Sequence, residues 1–311
     1  MESNTPTILL LFVLVLFVST APSLSAKTVT DQLGRSVDVP ENPGRIVSLA
    51  PSITEIVFTL DKDNLLKGIT EFSNYPEETK TIPKVGSYVN LNLEKIVALR
   101  PDLCIAIKDG NPKAVVMRLE SLNIPIYAVD PRDLESVMET FLEIGRLLNA
   151  SEKAADVVRI MRGRINRVKS IVATTREVPN VFYQIGITPI VSAGTNTFIH
   201  ELIEMAGGRN LAKGPVPYPR FSREKVVSLM PDVFIITSMA GEDVHEKARG
   251  QWQRWGHVPA VKNNRIHFVD SNVFDRPGPR LVDGLETLVK IIHPELVNRL
   301  ERTESGRPKG E

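Results

Sequence analysis

Cysteine is nearly absent. Cys104 is the single one in 311 residues, so no intramolecular disulfide can form. It stands in the apolar run Leu103–Ile107, where a lone thiol reads as plain core. Charge of one sign is also missing. The net charge is +1, which gives no field to attract nucleic acid or an acidic surface. The motifs of nucleotide binding and of zinc peptidases are missing: there is no G-x-G-x-x-G, no P-loop and no H-E-x-x-H. His200, His245, His257, His267 and His293 show no ligand-pair spacing, so no metal site is expected. Ser222-Arg223-Glu224-Lys225 is an S-x-x-K, but neither S-D-N nor K-T-G accompanies it, and an enzyme is not expected. No Gly-Ser linker and no low-complexity tract interrupts the chain.

What is there is a twelve-residue stretch used twice. Glu94–Ile105 reads E-K-I-V-A-L-R-P-D-L-C-I, and Glu224–Ile235 reads E-K-V-V-S-L-M-P-D-V-F-I. In each copy a short amphipathic helix is stopped by proline, which lacks an N–H and restricts the residue before it. An apolar run of strand length follows, Leu103–Ile107 or Val233–Thr237. Asn92 and Ser222 precede the copies as N-cap residues. Two helix–Pro-Asp–strand units so far apart suggest two similar α/β lobes, and the length suits two domains.

Ile8 to Val18 is an unbroken apolar run, too short to span a bilayer and suited to a signal peptide. Ser19 to Ala26 supplies small residues for cleavage after Ala26, so residues 1–26 are expected to be removed on export to a periplasm. No cysteine follows the run, which excludes a lipoprotein anchor. The first lobe is expected over 27–150: a hairpin at Thr28–Val39, a strand Arg45–Leu49, a helix capped by Ser52 or Thr54, and a strand Leu66–Ile69. Loops at Phe72–Pro76 and Val85–Asn90 each present an aromatic residue, before the first repeat and a further helix–strand–helix. This alternation predicts a mainly parallel sheet covered on both faces.

Apolar residues from Ala154 to Val172 recur at helical spacing, so residues 151–174, capped by Ser151, read as one long stiff helix between the lobes. Its arginines are expected on a solvated face. The second lobe, 175–295, repeats the pattern: strand Asn180–Ile185, helix Asn196–Ala206 ended by Gly207-Gly208, the stiff loop Pro215–Pro219 and the second repeat. A charged helical segment, the strand Arg265–Val269 and a final helix to Ile292 follow. Residues 296–311 read as a polar tail, frayed from Glu301.

Several pieces carry a resemblance: Arg45–Glu55 (R-I-V-S-L-A-P-S-I-T-E), Phe72–Pro76 (F-S-N-Y-P), Asn92–Ile105, Gln184–Pro189 (Q-I-G-I-T-P), Val216–Pro219 (V-P-Y-P) and Ser222–Val226 (S-R-E-K-V). With these the chain resembles the periplasmic binding proteins of vitamin B12 (cobalamin) ABC importers, in the helix-linked class that also serves haem and ferric siderophores. The resemblance implies two Rossmann-like α/β lobes joined by one rigid helix, with the ligand in the cleft between them. It implies a monomeric carrier that delivers cobalamin or a related corrinoid to membrane permease subunits. Haem or a ferric siderophore is the alternative ligand.

The same resemblance assigns roles. Glu94 and Glu224, one per lobe, match glutamates that dock onto permease arginines; a first-turn carboxylate favoured by the helix dipole would also be a Glu there. Tyr75, Tyr88 and Tyr218 match loop positions whose rings lie against a flat macrocycle. Pro51, Ser52, Asp275, Arg276 and Arg280 match stretches that line or border the cleft, and the two arginines could also hold carboxylates or phosphate bidentately. Ile107 and Ile187 lack the aromatic character of some cobalamin binders. Tyr88 is one position from the ligating Tyr of the haem branch.

Overall fold

The structure is a computed structural model that describes residues 26–237 and 242–304. The apolar N-terminal run lies outside the described residues. Each lobe carries a four-stranded parallel sheet. In the first the order is Leu66–Gly68, Ile46–Ser48, Leu103–Ile107, Ile126–Val129. In the second it is Arg209–Asn210, Asn180–Gln184, Val233–Thr237, Ile266–Val269. Counted along the chain within each lobe, both orders are 2-1-3-4. The repeated sequence supplies the third strand each time, so the internal likeness is one of topology as well as of residues.

The repeat works through the same bonds in both copies. Asn92 Oδ1 accepts the Lys95 N–H at 2.8 Å, and Ser222 Oγ accepts the Lys225 N–H at 3.2 Å. The S-x-x-K is thus an N-cap. Each helix ends on a left-handed residue, Arg100 (φ 47°) or Met230 (φ 50°), before the proline. The following aspartate then ties in the neighbouring strand: Asp102 accepts from the Gly44 and Arg45 amides at 2.7 and 3.0 Å, and Asp232 from Asn180 at 2.8 Å.

Both repeat strands are buried on both faces, as parallel strands between helices must be. Leu103, Ile105, Val233 and Ile235 point into one continuous core that spans the lobes. Cys104 and Ala106 face the outer side of the first sheet, Phe234 and Ile236 that of the second. Cys104 is fully buried, and desolvation pushes its thiol pKa up, which suits a core role.

The bridging helix runs from Ser151 to Val172, 22 residues, or about 33 Å. Ala154, Val158, Met161, Ile165 and Val168 are its buried stripe, and all belong to the shared core. It packs tightly on the preceding helix, Leu134–Leu147: a Cβ at Gly145 would stand 2.5 Å from the Ala154 Cβ. The basic face expected to be solvated is largely ion-paired. Arg164 holds Asp283 at 2.6 Å and Glu286 at 2.5 Å, and Arg162 pairs with Glu135. These pairs tie the helix to an element of each lobe.

Some boundaries differ from expectation. The helix expected to be capped by Ser52 or Thr54 begins at Pro51, with Ala50 in the cap position; proline needs no partner for a missing N–H. Ala150, not Ser151, precedes the bridging helix, and its side chain makes no cap bond. The loops around Gly86 and Gly186 contain two-residue antiparallel strands. A 3₁₀ turn, Pro294–Leu296, leads into the expected polar tail, and Val297–Glu304 within it is a helix, because Leu296 and Leu300 are buried against the main core.

Candidate functional site

A parallel sheet leaves its loops at the carboxyl ends of the strands free to line a crevice. Both sheets use those ends on the same cavity. From the first lobe come Ala50-Pro51-Ser52, Phe72, Tyr88 and the segments after the strands Leu103–Ile107 and Ile126–Val129. From the second come Ile185, Asn196–Ile199, Tyr218, Ser271-Asn272 and Asp275-Arg276-Pro277. The cavity holds about 370 Å³, within the usual span for small-molecule sites of about 300–1,000 Å³.

Of the residues singled out from the sequence, Pro51, Ser52, Tyr88, Tyr218, Asp275 and Arg276 are in the wall. Tyr75 and Arg280 lie beside it. The Arg280 guanidinium sits 4.1 Å from the centre of the Tyr75 ring, whose side chain stays 48% exposed. Glu94 and Glu224 are outside the cavity, exposed in the first turns of the two repeat helices. The Glu224 carboxyl is held below its ordinary range by hydrogen bonds to its own backbone and to Ser222.

Two unforeseen neighbours position Tyr88. Asn111 accepts the Ile107 N–H at 2.8 Å and donates to the Leu49 and Tyr88 carbonyls, both at 2.8 Å. One buried amide so fixes three loops of the rim. Gly110 has φ +133°, and a Cβ there would stand 2.6 Å from the Tyr88 ring, so only glycine lets the ring lie where it does.

The arginines are engaged by the chain itself. Glu55, 2% exposed, lies on the helix Pro51–Thr59 of the first lobe. It receives Arg276 Nη1 at 2.9 Å and Arg280 Nε and Nη2 at 2.9 and 2.8 Å, both from the second lobe. Arg276 also donates to the Phe72 carbonyl at 2.8 Å and to Asn74 at 3.0 Å. The carboxylate that these guanidiniums grip is therefore Glu55. A signal existed: Glu55 interrupts the apolar residues Ile53, Ile56 and Val57, and a charge on such a face needs a partner. A second link between lobes is the Leu134 N–H donated to Glu201 Oε2 at 2.6 Å.

Asp275 is the other buried carboxyl of the wall. Desolvation pushes its pKa up to about 6, against hydrogen bonds from Thr237 and Tyr183 and the charge of Arg276. The unfolded chain has the ordinary value of about 3.9. The folded state therefore binds the proton more tightly, and this group's stabilisation is complete below about pH 4 and lost as pH rises through 6. Asp275→Asn is expected to behave as the protonated form. Relative to it, the wild type should gain on the order of 2–3 kcal/mol between pH 7.5 and 4 in urea unfolding. Parallel pH profiles for the two proteins would show that Asp275 does not titrate in this range.

The described residues include no group of three or more potential metal ligands, and no described helix is long and apolar enough to cross a membrane. Comparison with known proteins agrees with the geometry. The periplasmic binding protein family model matches residues 46–273, which takes in both sheets. The vitamin B12-binding protein of Vibrio parahaemolyticus is 31% identical over 243 residues, 78% of this chain and 86% of that one. YvrC of Bacillus subtilis, an uncharacterized ABC transporter substrate-binding lipoprotein, is 30% identical over 274 residues, 86% of each. Among solved structures, the vitamin B12 binding protein BtuF of Vibrio cholerae matches with a TM-score of 0.72 at 28% identity, covering 81% of this chain and 98% of that one. A periplasmic heme-binding protein from Pseudomonas aeruginosa gives 0.75 at 28%, covering 81% and 93%. These relatives are named as binding proteins, and this chain is a binding protein, not an enzyme. With two matching lobes closed on one ligand-sized cleft, the chain belongs to the periplasmic binding protein family, in the class that serves ABC importers.

Proposed function

We propose that this protein captures cobalamin, or a related corrinoid, in the cleft between its lobes and delivers it to the permease of an ABC importer. The carrying observation is that Tyr88 and Tyr218, from opposite lobes, border one cavity whose other wall residues include Phe72, Ile107 and Phe198. A flat macrocycle gains from stacking on such rings and from polar groups at its edge. The names of the curated relatives support the same ligand. The protein works outside the cytoplasm, exported by the leader at 1–26, as a monomer without cofactor or metal. Haem is a second reading, because Tyr88 stands in the cavity wall and a phenolate can ligate haem iron.

Titration of the chain from Lys27 onward separates the two by calorimetry and absorbance. One-to-one binding of cyanocobalamin, weakened about tenfold or more by Tyr88→Ala or Tyr218→Ala, is the expected result. Haemin binding with a new tyrosinate-type spectrum that Tyr88→Phe abolishes, and no response to cyanocobalamin, would move the protein to haem.

A further inference from the structure

Three carboxylates, Asp109, Asp130 and Asp275, line the cavity with two guanidiniums, Arg132 and Arg276. Neither guanidinium is free. Arg132 holds Asp109 at 2.7 Å and Asp130 at 2.7 Å, and Asp130 also takes Lys108 at 2.7 Å. Arg276 is spent on Glu55, the Phe72 carbonyl, Asn74 and Asn272. Arg280, which shares Glu55, donates besides to the Asn272 carbonyl at 3.0 Å. Glu55 and the three wall carboxylates face four cations, Lys108, Arg132, Arg276 and Arg280, and the Asp270 charge also acts on Arg280 and Asp275, so the cleft has no excess of positive charge.

Within that balance Asp275 has a particular place. The pair Arg276–Arg280 outnumbers Glu55 by one positive charge, and the nearby Asp275 offsets it. Tyr183 and Thr237 both donate to Asp275 Oδ1, at 3.2 and 3.3 Å, and no described residue donates to Oδ2. An oxygen in the cavity wall is thus left to accept from a ligand.

We propose that the cleft selects by charge: it takes an uncharged ligand carrying N–H donors at its edge and rejects anionic ones, because every cavity cation is already paired within the chain and Asp275 is an acceptor. A ligand carboxylate would have to displace a chain carboxylate from its arginine or lie against Asp109, Asp130 or Asp275. Like charges brought together in this way weaken binding. The inference rests on the cleft being the ligand site, as proposed above, but not on which macrocycle fills it.

Two matched pairs of probes test it at pH 7.5: cyanocobalamin against its monocarboxylic acid, with one side-chain amide hydrolysed, and haemin against its neutral propionamide derivative. The amide member should bind about tenfold or more tighter in whichever pair binds. Asp275→Asn removes one negative charge from the cleft and should shrink that ratio severalfold. Glu55→Gln should do the same, and the Asp275 variant suffices if the Glu55 variant does not fold. Equal affinities within a pair, or preference for the acid, would overturn charge selection. Binding of the haemin amide over haemin, with no response to cyanocobalamin, would overturn the corrinoid proposal and uphold this one. Failure of all four probes would overturn both.

Discussion

Glu55→Ala is expected to lower the unfolding free energy by about 3–5 kcal/mol, the cost of stripping one partner from a buried ion pair. Glu55 is 2% exposed at its side chain, and the Arg276 and Arg280 side chains are 11% and 17% exposed. Removing the carboxylate leaves two guanidiniums facing each other with little water to screen them. The melting temperature should fall by about 10 °C. Because the carboxylate belongs to one lobe and both arginines to the other, amide exchange should rise at the lobe contact, around Phe72 and Asn272. Replacing all three residues by apolar ones of similar volume should cost far less than Glu55→Ala alone, since a buried triad contributes little net stability while a broken one costs much. A single-mutant loss under about 1 kcal/mol would mean that the triad does not tie the lobes.

The second large effect is on transport. Glu94→Ala combined with Glu224→Ala should abolish uptake in a reconstituted importer while ligand affinity stays within about twofold of wild type. Both carboxylates are exposed, neither lines the cavity, and neither makes a salt bridge among the described residues. Each sits in the first turn of a helix on its own lobe, and the lobes share one strand order. Two equivalent anions on two equivalent lobes suit a permease with paired arginines. Stability should barely change, because both carboxylates are exposed and solvent screens their attraction to the helix dipole. Normal uptake by the double variant would remove docking from the roles of Glu94 and Glu224.

Much of the architecture is local and so was legible. The repeat announced its own topology: N-caps at Asn92 and Ser222, proline stops, and strands apolar on both faces are decided within a dozen residues. The bridging helix was readable from the spacing of Ala154, Val158, Met161, Ile165 and Val168. Helix starts are less legible, because Pro51 and Ser151 begin helices that lack a side-chain cap and are held by packing instead. The helix Val297–Glu304 was hidden in a polar segment for the same reason, since its anchor is one buried face around Leu300.

The cleft divides along the same line. By itself the sequence determined that two similar parallel-sheet lobes would present loop tyrosines, Tyr88 and Tyr218 among them, since turn residues and strand ends put them there. Which charges meet was decided only in three dimensions. Glu55 and Arg276 are 221 positions apart and Arg132 reaches back 23 positions to Asp109, and no periodicity encodes such pairs. The physical reason is that helix and strand signals come from near neighbours along the chain, whereas a buried charge is satisfied by whichever partner folding brings within 3 Å. Tertiary structure alone turned Arg276 and Arg280 from candidate ligand grips into the tie that holds the cleft's two walls together.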